Sequence, residues 1–516
     1  MLDSFTALPK ELITKISQYL SIKDLFHLNS TATFFRQNLK KVLITKLKAQ
    51  QIKQIVSGYS TLFLQQDGSV WACGNMGDVQ LRSDKDDQNS LYKVPLDNVK
   101  QVALCSESLF FLQTDGSVWA CGNNYYGQLG IGSDNRAQNS LCKVLVDNVK
   151  QVVTNGLITY FLQMNGSVWA CGNNGSGQLG TGNKNYQKIP YKIPPDNIKK
   201  VLIAGSSTYF HQTDGSVWAC GENSLGQLGI GNMINQSTPQ KVLIDSVEQI
   251  VMPTCSSMFF LKTDGSVWGC GNNYRGQLGI GNNNVQNSPC KVPLDHVKQV
   301  ASHSDSLFFL KTDGSVWACG NNTAGQLGIG SNLMSQNSLQ KVPLDHVKQI
   351  VFPPSHRNPS TYFLKDDGSV WACGFNQYGQ LGIGNYKFQT TPQKVLIDNV
   401  VQIVMNHNTP YFLKTDGSVW VVYKDKHSPV KMPLDDVKTI EVTWSGPFFV
   451  TNNGSVWACG NNQQGQLGLG HKNPISDLQP VPHYYQLQAI LQQLQADTHS
   501  TQTQRMPANP RPILKQ

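Results

Sequence analysis

The chain has 516 residues, of which 39% are hydrophobic and 15% charged, with a formal net charge of +9. It holds no run of about 18 apolar residues, and its opening Met-Leu-Asp-Ser-Phe, broken at Pro9, is not a charged-then-apolar leader, so neither a membrane span nor anchor nor conventional secretion is expected. The charge is uneven: residues 1–50 carry +5 and residues 483–516 carry +2, leaving about +2 for everything between, which argues against a nucleic-acid surface of clustered Lys and Arg.

Residues 1–50 read as a small helical module. Pro9 starts a segment with Leu12, Ile13, Ile16, Tyr19 and Leu20 at helical spacing, Ser21 to Asp24 turns into Leu25, Phe26 and Leu28, and a third segment carries Phe34 and Phe35. A unit this small gains stability by docking on a partner or on the rest of the chain. The run Leu8-Pro9-x-Glu11-Leu12-x-x-x-Ile16-x-x-Tyr19-Leu20-Ser21-x-x-Asp24-Leu25 resembles an F-box. That resemblance implies binding to the Skp-type adaptor of cullin ubiquitin ligases, with Leu8, Pro9, Glu11, Leu12, Ile16, Leu20 and Leu25 forming the contact or its support. A helical cap on the following domain is the plainer alternative.

Residues 51–482 are a tandem array. A Gly-Ser-Val-Trp phrase places Trp71, Trp119, Trp169, Trp218, Trp268, Trp317, Trp371, Trp420 and Trp457 at spacings of 48, 50, 49, 50, 49, 54, 49 and 37 residues, a period typical of propellers and solenoids. In the unit from Phe309 to Gly320, two aromatic and aliphatic runs flank an Asp-Gly pair, which predicts a hairpin with a two-residue turn in each repeat. Gly-Gln-Leu-Gly-Ile-Gly then predicts an ordered loop, and a stretch such as Lys341 to Ile350 offers one strand on each side of a Pro/Asp turn. Four short strands per unit make one propeller blade, so the predicted fold is all-β with low helical content outside the termini.

The repeated chemistry reads as structural. Cys73, Cys121, Cys171, Cys220, Cys270, Cys319, Cys373 and Cys459 fill one slot per unit, with no CxxC spacing, so packing in a reducing compartment is expected and no metal or cofactor is. The repeated tryptophans are expected in the blade core. The glycine-rich loops lack the Lys-Ser/Thr and helix of a phosphate cradle, and the aspartates before each hairpin fit turn chemistry. Neither HExxH nor GxSxG occurs, so an enzyme is not expected. One insertion, Val351 to Ser360, lengthens a connection with three prolines; Phe352, Pro353, Pro354, His356 and Arg357 form a candidate contact loop, against the alternative of a tolerated surface insertion.

The phrase Gly314-Ser315-Val316-Trp317, Cys319-Gly320-Asn321-Asn322, Gly325-Gln326-Leu327-Gly328 and its copies resemble the repeats of the regulator of chromosome condensation family. The resemblance implies a β-propeller, usually seven-bladed, used as an exchange factor for the small GTPase Ran or as a platform for other proteins. Departures leave the blade number open: there are nine hairpins, the first unit is eroded at Met76 to Arg82, and the eighth lacks the glycine loop after Val422, so the ring uses all nine or leaves a degenerate unit as a cap. No insertion resembles the wedge of a Ran exchange factor.

Residues 483–516 read as a short Gln-rich helix, with Leu487, Ile490, Leu491 and Leu494 on one stripe, then a disordered tail. Two functions follow from the resemblances. In the first, the F-box recruits a Skp–cullin ligase while the propeller holds a protein substrate. In the second, the propeller regulates Ran or a relative. Near-identical Asn-, Gln- and Lys-rich repeats behind an F-box also resemble effectors that intracellular bacteria inject into host cells. The expected location is cytoplasmic or nuclear, or host cytoplasm for such an effector.

Overall fold

A computed structural model describes residues 51–484 apart from 59, 76–88, 106, 253–255, 355–357 and 483. The F-box-like module, His356 and Arg357, and the Gln-rich segment beyond Tyr484 lie outside the described residues. Strands form nine four-stranded antiparallel sheets, each from consecutive strands: blade 1 within 52–93, blade 2 within 99–143, blade 3 within 149–193, blade 4 within 198–241, blade 5 within 247–291, blade 6 within 297–341, blade 7 within 347–394, blade 8 within 400–431 and blade 9 within 437–480. All nine units are therefore blades, and the eroded first and eighth units are in the ring. The four strands of a blade are called inner, second, third and outer, in chain order.

Alternation builds the blade. In blade 6 the second strand, Ser306–Lys311, pairs Leu307 with Cys319, Phe308 with Ala318 and Phe309 with Trp317 on the third strand, and both faces of this central pair are buried because a blade is covered on each side by its neighbours. The core is thus divided into nine clusters, each shared by two adjoining blades. One cluster joins Phe308, Val316 and Leu327 of blade 6 to Val347, Phe363 and Cys373 of blade 7, with Trp371 half-buried at the seam. The ninth joins Phe448, Val456 and Leu467 of blade 9 to Phe63 and Cys73 of blade 1 and takes in Tyr484. Phe63 and Phe448 meet edge to face at 5.5 Å, and Cys73 Sγ donates to Gln466 O at 3.5 Å. Among the described residues the ring closes by this packing and by hydrogen bonds such as Gly470 N to Asn89 O at 3.0 Å, without exchange of a strand between its two ends.

The structure divides the repeat differently from the sequence phrase. The Lys341 to Ile350 stretch does place a strand on each side of its turn, but they are the outer strand of blade 6 and the inner strand of blade 7. The connector is held where it passes the preceding hairpin: Val347 N donates to Gly314 O at 2.9 Å and Thr312 N to His346 O at 3.0 Å. His346 takes φ +60°, and the same left-handed slot is filled in the other connectors by Asn98, Asn148, Asn197, Ser246, His296, Asn399 and Asp436, mostly residue types that tolerate it.

The hairpin turn also differs from the two-residue form. Gly314 N bonds Lys311 O at 3.1 Å and Lys311 N bonds Ser315 O at 2.9 Å, which leaves a three-residue loop with only Gly314 at positive φ, +79°. A two-residue type I′ turn requires positive φ at Asp as well. Asp313 instead stays right-handed and accepts from Ser315 N at 2.9 Å and Ser315 Oγ at 2.6 Å, an arrangement that favours the longer turn.

Candidate protein-binding faces

Antiparallel order puts the Asp-Gly turns and the blade connectors on one face of the ring, and the inner-to-second turns and the glycine loops on the other. On the glycine-loop face the repeated side chains hold the loop itself. Asn174, fully buried, donates from Nδ2 to Asn183 O at 2.9 Å and accepts at Oδ1 from Leu179 N at 2.9 Å, while Gln178 Oε1 accepts from Ser176 N at 2.8 Å. Gly177 and Gly182 bring the backbone onto the next blade's outer strand, where Gly182 N donates to Ser237 O at 2.8 Å. The glycines are an inter-blade clasp, and the repeated cysteine lies beneath it: Cys220 Sγ donates to Gln178 O at 3.2 Å. Burial pushes these thiols up, Cys121 to about 12 and Cys459 to about 11, so they are held as thiols at neutral pH.

Side chains that differ between units remain outside this clasp, and several are aromatic. Tyr126 stands edge-on to Tyr125 at 4.8 Å and to Tyr186 of the next blade at 5.0 Å, with the Arg136 guanidinium over Tyr125 at 5.0 Å. A second group joins Phe375, Tyr378 and Phe388 of blade 7 to Lys424 of blade 8, whose ammonium lies 5.3 Å from the Tyr378 ring. Blade 8 reaches the seam with the short connection Val422 to Pro429 in place of a glycine loop, and Gly384 N of blade 7 docks on His427 O at 2.7 Å. Trp444 belongs to neither group. It lies in the inner-to-second turn of blade 9, is 71% exposed and meets His407 of blade 8 at 6.0 Å. The chain has ten tryptophans, and Trp444 alone stands off the repeated slot, a signal already present in the sequence but overlooked there.

The proline-rich insertion is partly packed. Phe352 stacks on His303 at 6.1 Å and meets Phe308 at 5.3 Å, Pro353 is buried, and Pro354 is exposed.

The Asp-Gly face is charged in two concentric rings. At the end of the outer strand in blades 1 to 8 a lysine pairs with the aspartate four residues on, from Lys93–Asp97 at 2.8 Å round to Lys431–Asp435 at 2.9 Å. Nearer the axis, where the inner strands of neighbouring blades approach one another, every inner strand carries a β-bulge at its second position, and in seven blades the bulged residue is lysine: Lys53, Lys100, Lys150, Lys199, Lys298, Lys348 and Lys438. Glu248 and Val401 take the slot in blades 5 and 8. Sequence reasoning treated lysines as one class; the aspartate four residues after the first and missing after the second was the distinguishing sign.

Among the described residues no helix is long and apolar enough to cross a membrane, and no group of three or more His, Cys, Asp and Glu is placed to hold a metal ion.

The family model of the regulator of chromosome condensation (RCC1) repeat matches residues 115–152, 165–209, 214–261, 264–310, 313–358, 367–406 and 453–489, more than half of the chain. Each match begins at the Asp-Gly or Asn-Gly turn of a hairpin and, in most, runs past the connector into the next blade. No curated protein matches the chain. Among solved structures, human WBSCR16 is 24% identical over 62% of this chain and 89% of its own, with a TM-score of 0.44. Prp20p from Saccharomyces cerevisiae, studied for its binding to Gsp1p and histones, is 17% identical over 69% of this chain and 89% of its own, with a TM-score of 0.44. BamB from Moraxella catarrhalis is 11% identical over 72% of this chain and 94% of its own, with a TM-score of 0.35. On the extent of the repeat match, the chain belongs to the regulator of chromosome condensation (RCC1) repeat family.

Proposed function

We propose that this chain is a binding protein whose glycine-loop face engages a protein partner, and that its F-box-like segment, residues 1–50, recruits a Skp-type adaptor and a cullin ligase to that partner. The observation that carries the first half is Trp444: a large aromatic side chain in a hydrogen-bonded turn, exposed, and off the slot that the fold requires. Trp, Tyr and Arg dominate the energetics of protein interfaces, and Tyr125, Tyr126 and Arg136 supply the other two types on the same face. The second half rests on the sequence pattern from Leu8 to Leu25. In this reading the chain contributes proximity and specificity, and bond-making belongs to its partners. If the chain is an effector injected by an intracellular bacterium, the ligase is the host's.

The test is affinity purification from eukaryotic lysate with the intact chain, the Leu8→Ala/Pro9→Ala variant and Trp444→Ala, quantifying Skp, cullin and Ran by mass spectrometry. The reading expects Skp and cullin to vanish with the first variant alone and other partners to weaken with the second. Recovery of Ran without Skp from the intact chain would replace it with GTPase regulation, and nucleotide-exchange kinetics would follow.

A further inference from the structure

We infer that the Asp-Gly face carries a second, independent binding surface: an arc of unpaired lysines at the inner edge of the ring that takes an acidic peptide segment of a protein partner. The arc runs through five consecutive blades across the ring closure, from Lys438 in blade 9 through Lys53, Lys100 and Lys150 to Lys199 in blade 4, where Lys200 adds a further charge. Glu248 ends it on one side and Val401 on the other.

Three observations separate these lysines from ordinary surface charge. Each is exposed, and among the described residues none has a carboxylate within ion-pair distance, whereas the lysines of the outer ring do. Each sits on the extra residue of a bulge, which re-aims the side chain away from the strand's regular alternation. They stand on neighbouring inner strands that approach one another around the axis, and Lys53 Nζ donates to Lys100 O of the next blade at 3.0 Å. Lysines and bulges commonly guard an exposed sheet edge against foreign strands. That role does not account for these, because the inner edge is flanked by the neighbouring blades' inner strands, as when Gln101 Nε2 bonds Val152 O at 3.1 Å.

Charge further out selects the ligand. Asp115, Asp214, Asp264, Asp313, Asp367 and Asp416 project from the hairpin turns of the same face, and the hydrogen bonds each accepts from the serine two residues on keep it ionised. A nucleic acid laid across the face meets those carboxylates as well as the lysines. A short acidic segment confined to the inner arc meets only the lysines, and this complementarity favours the peptide.

Binding of a fluorescein-labelled oligoglutamate peptide to the full chain, read by fluorescence anisotropy over a salt series, tests the inference. The intact chain is expected to bind with an affinity that falls as salt rises. Lys53→Glu/Lys100→Glu/Lys150→Glu is expected to weaken binding by at least about tenfold, and Lys143→Glu/Lys291→Glu/Lys341→Glu, with the same change of net charge in the paired ring, by about twofold at most. Equal losses in the two variants, no loss in the first, or tighter binding of an oligothymidylate of matched charge would overturn it. Should the glutamate triple fail to fold, the Lys→Gln triple at the arc positions carries the same expectation at about threefold.

Discussion

Gly320 and Gly281 differ in surroundings although both are left-handed, at φ +92° and +83°. A Cβ on Gly281 would meet nothing within 4 Å, whereas a Cβ on Gly320 would lie 1.9 Å from Asp305 O, the carbonyl that accepts from Asn321 N at 2.9 Å. Gly281→Ala therefore adds backbone strain alone, about 1–2 kcal/mol. Gly320→Ala adds the same strain, weakens a backbone hydrogen bond for about 1 kcal/mol and forces a turn of the blade outward for about 1–3 kcal/mol. The total, about 3–6 kcal/mol, is large against ordinary single substitutions. Urea denaturation followed by tryptophan fluorescence should show the midpoint falling about three times as far for Gly320→Ala as for Gly281→Ala, at unchanged slope. Equal shifts in the two variants would refute the claim that close backbone approach, and not φ alone, demands glycine at the end of the third strand.

Other outcomes follow from the same packing. Leu327→Ala, at a side chain with no exposure in the seam between blades 6 and 7, should cost about 2–5 kcal/mol in the same denaturation assay. Trp444→Ala should leave the denaturation midpoint within about 0.5 kcal/mol of the parent while weakening partner capture. At pH 8 iodoacetamide should label the partly exposed Cys105 and Cys142 in the native protein, while the eight repeat cysteines react only after unfolding, as peptide mass spectrometry would show. The hairpin aspartates have folded pKa values below their unfolded ones, so their contribution is present above the unfolded carboxylate range and lost as pH falls through the folded values. Asp→Asn at Asp214, Asp264 and Asp313 should flatten the acid limb of stability against pH, because Asn165 already bonds Ser167 N at 3.0 Å in the same turn.

Much of this was readable from residue types. Strand positions followed from the aromatic and aliphatic runs around each Gly-Ser-Val-Trp phrase, and the packing role of Cys319 and its copies followed from their recurrence, because what recurs in every unit is what every unit needs. Blade boundaries were less legible: the strands flanking Asp345 are adjacent in sequence but pair in different sheets, and only that long-range pairing decides it. The Asp-Gly pair signalled a hairpin but not its length, since the choice between two and three residues turns on whether Thr312 or Lys311 pairs with Ser315. Blade number was undecidable while the damaged units were judged by their loops. The hairpin strands and the seam residues survive in both, and these are what a blade requires. The lysine arc was hidden because charge was summed per segment, whereas among the described residues the geometry separates lysines paired with a carboxylate from lysines without one inside a single ten-residue stretch.

Since each sheet is made from one continuous piece of chain and the seam between blades 9 and 1 repeats the core contacts of the other seams, with Tyr484 added, the polypeptide has no privileged starting blade. Rotating its reading frame, by joining the ends with a linker and opening a connector elsewhere, should return the same ring. For the same reason the gene can lengthen or shorten by whole units through unequal recombination, and each event changes the bore of the ring and the number of lysines around it in one step.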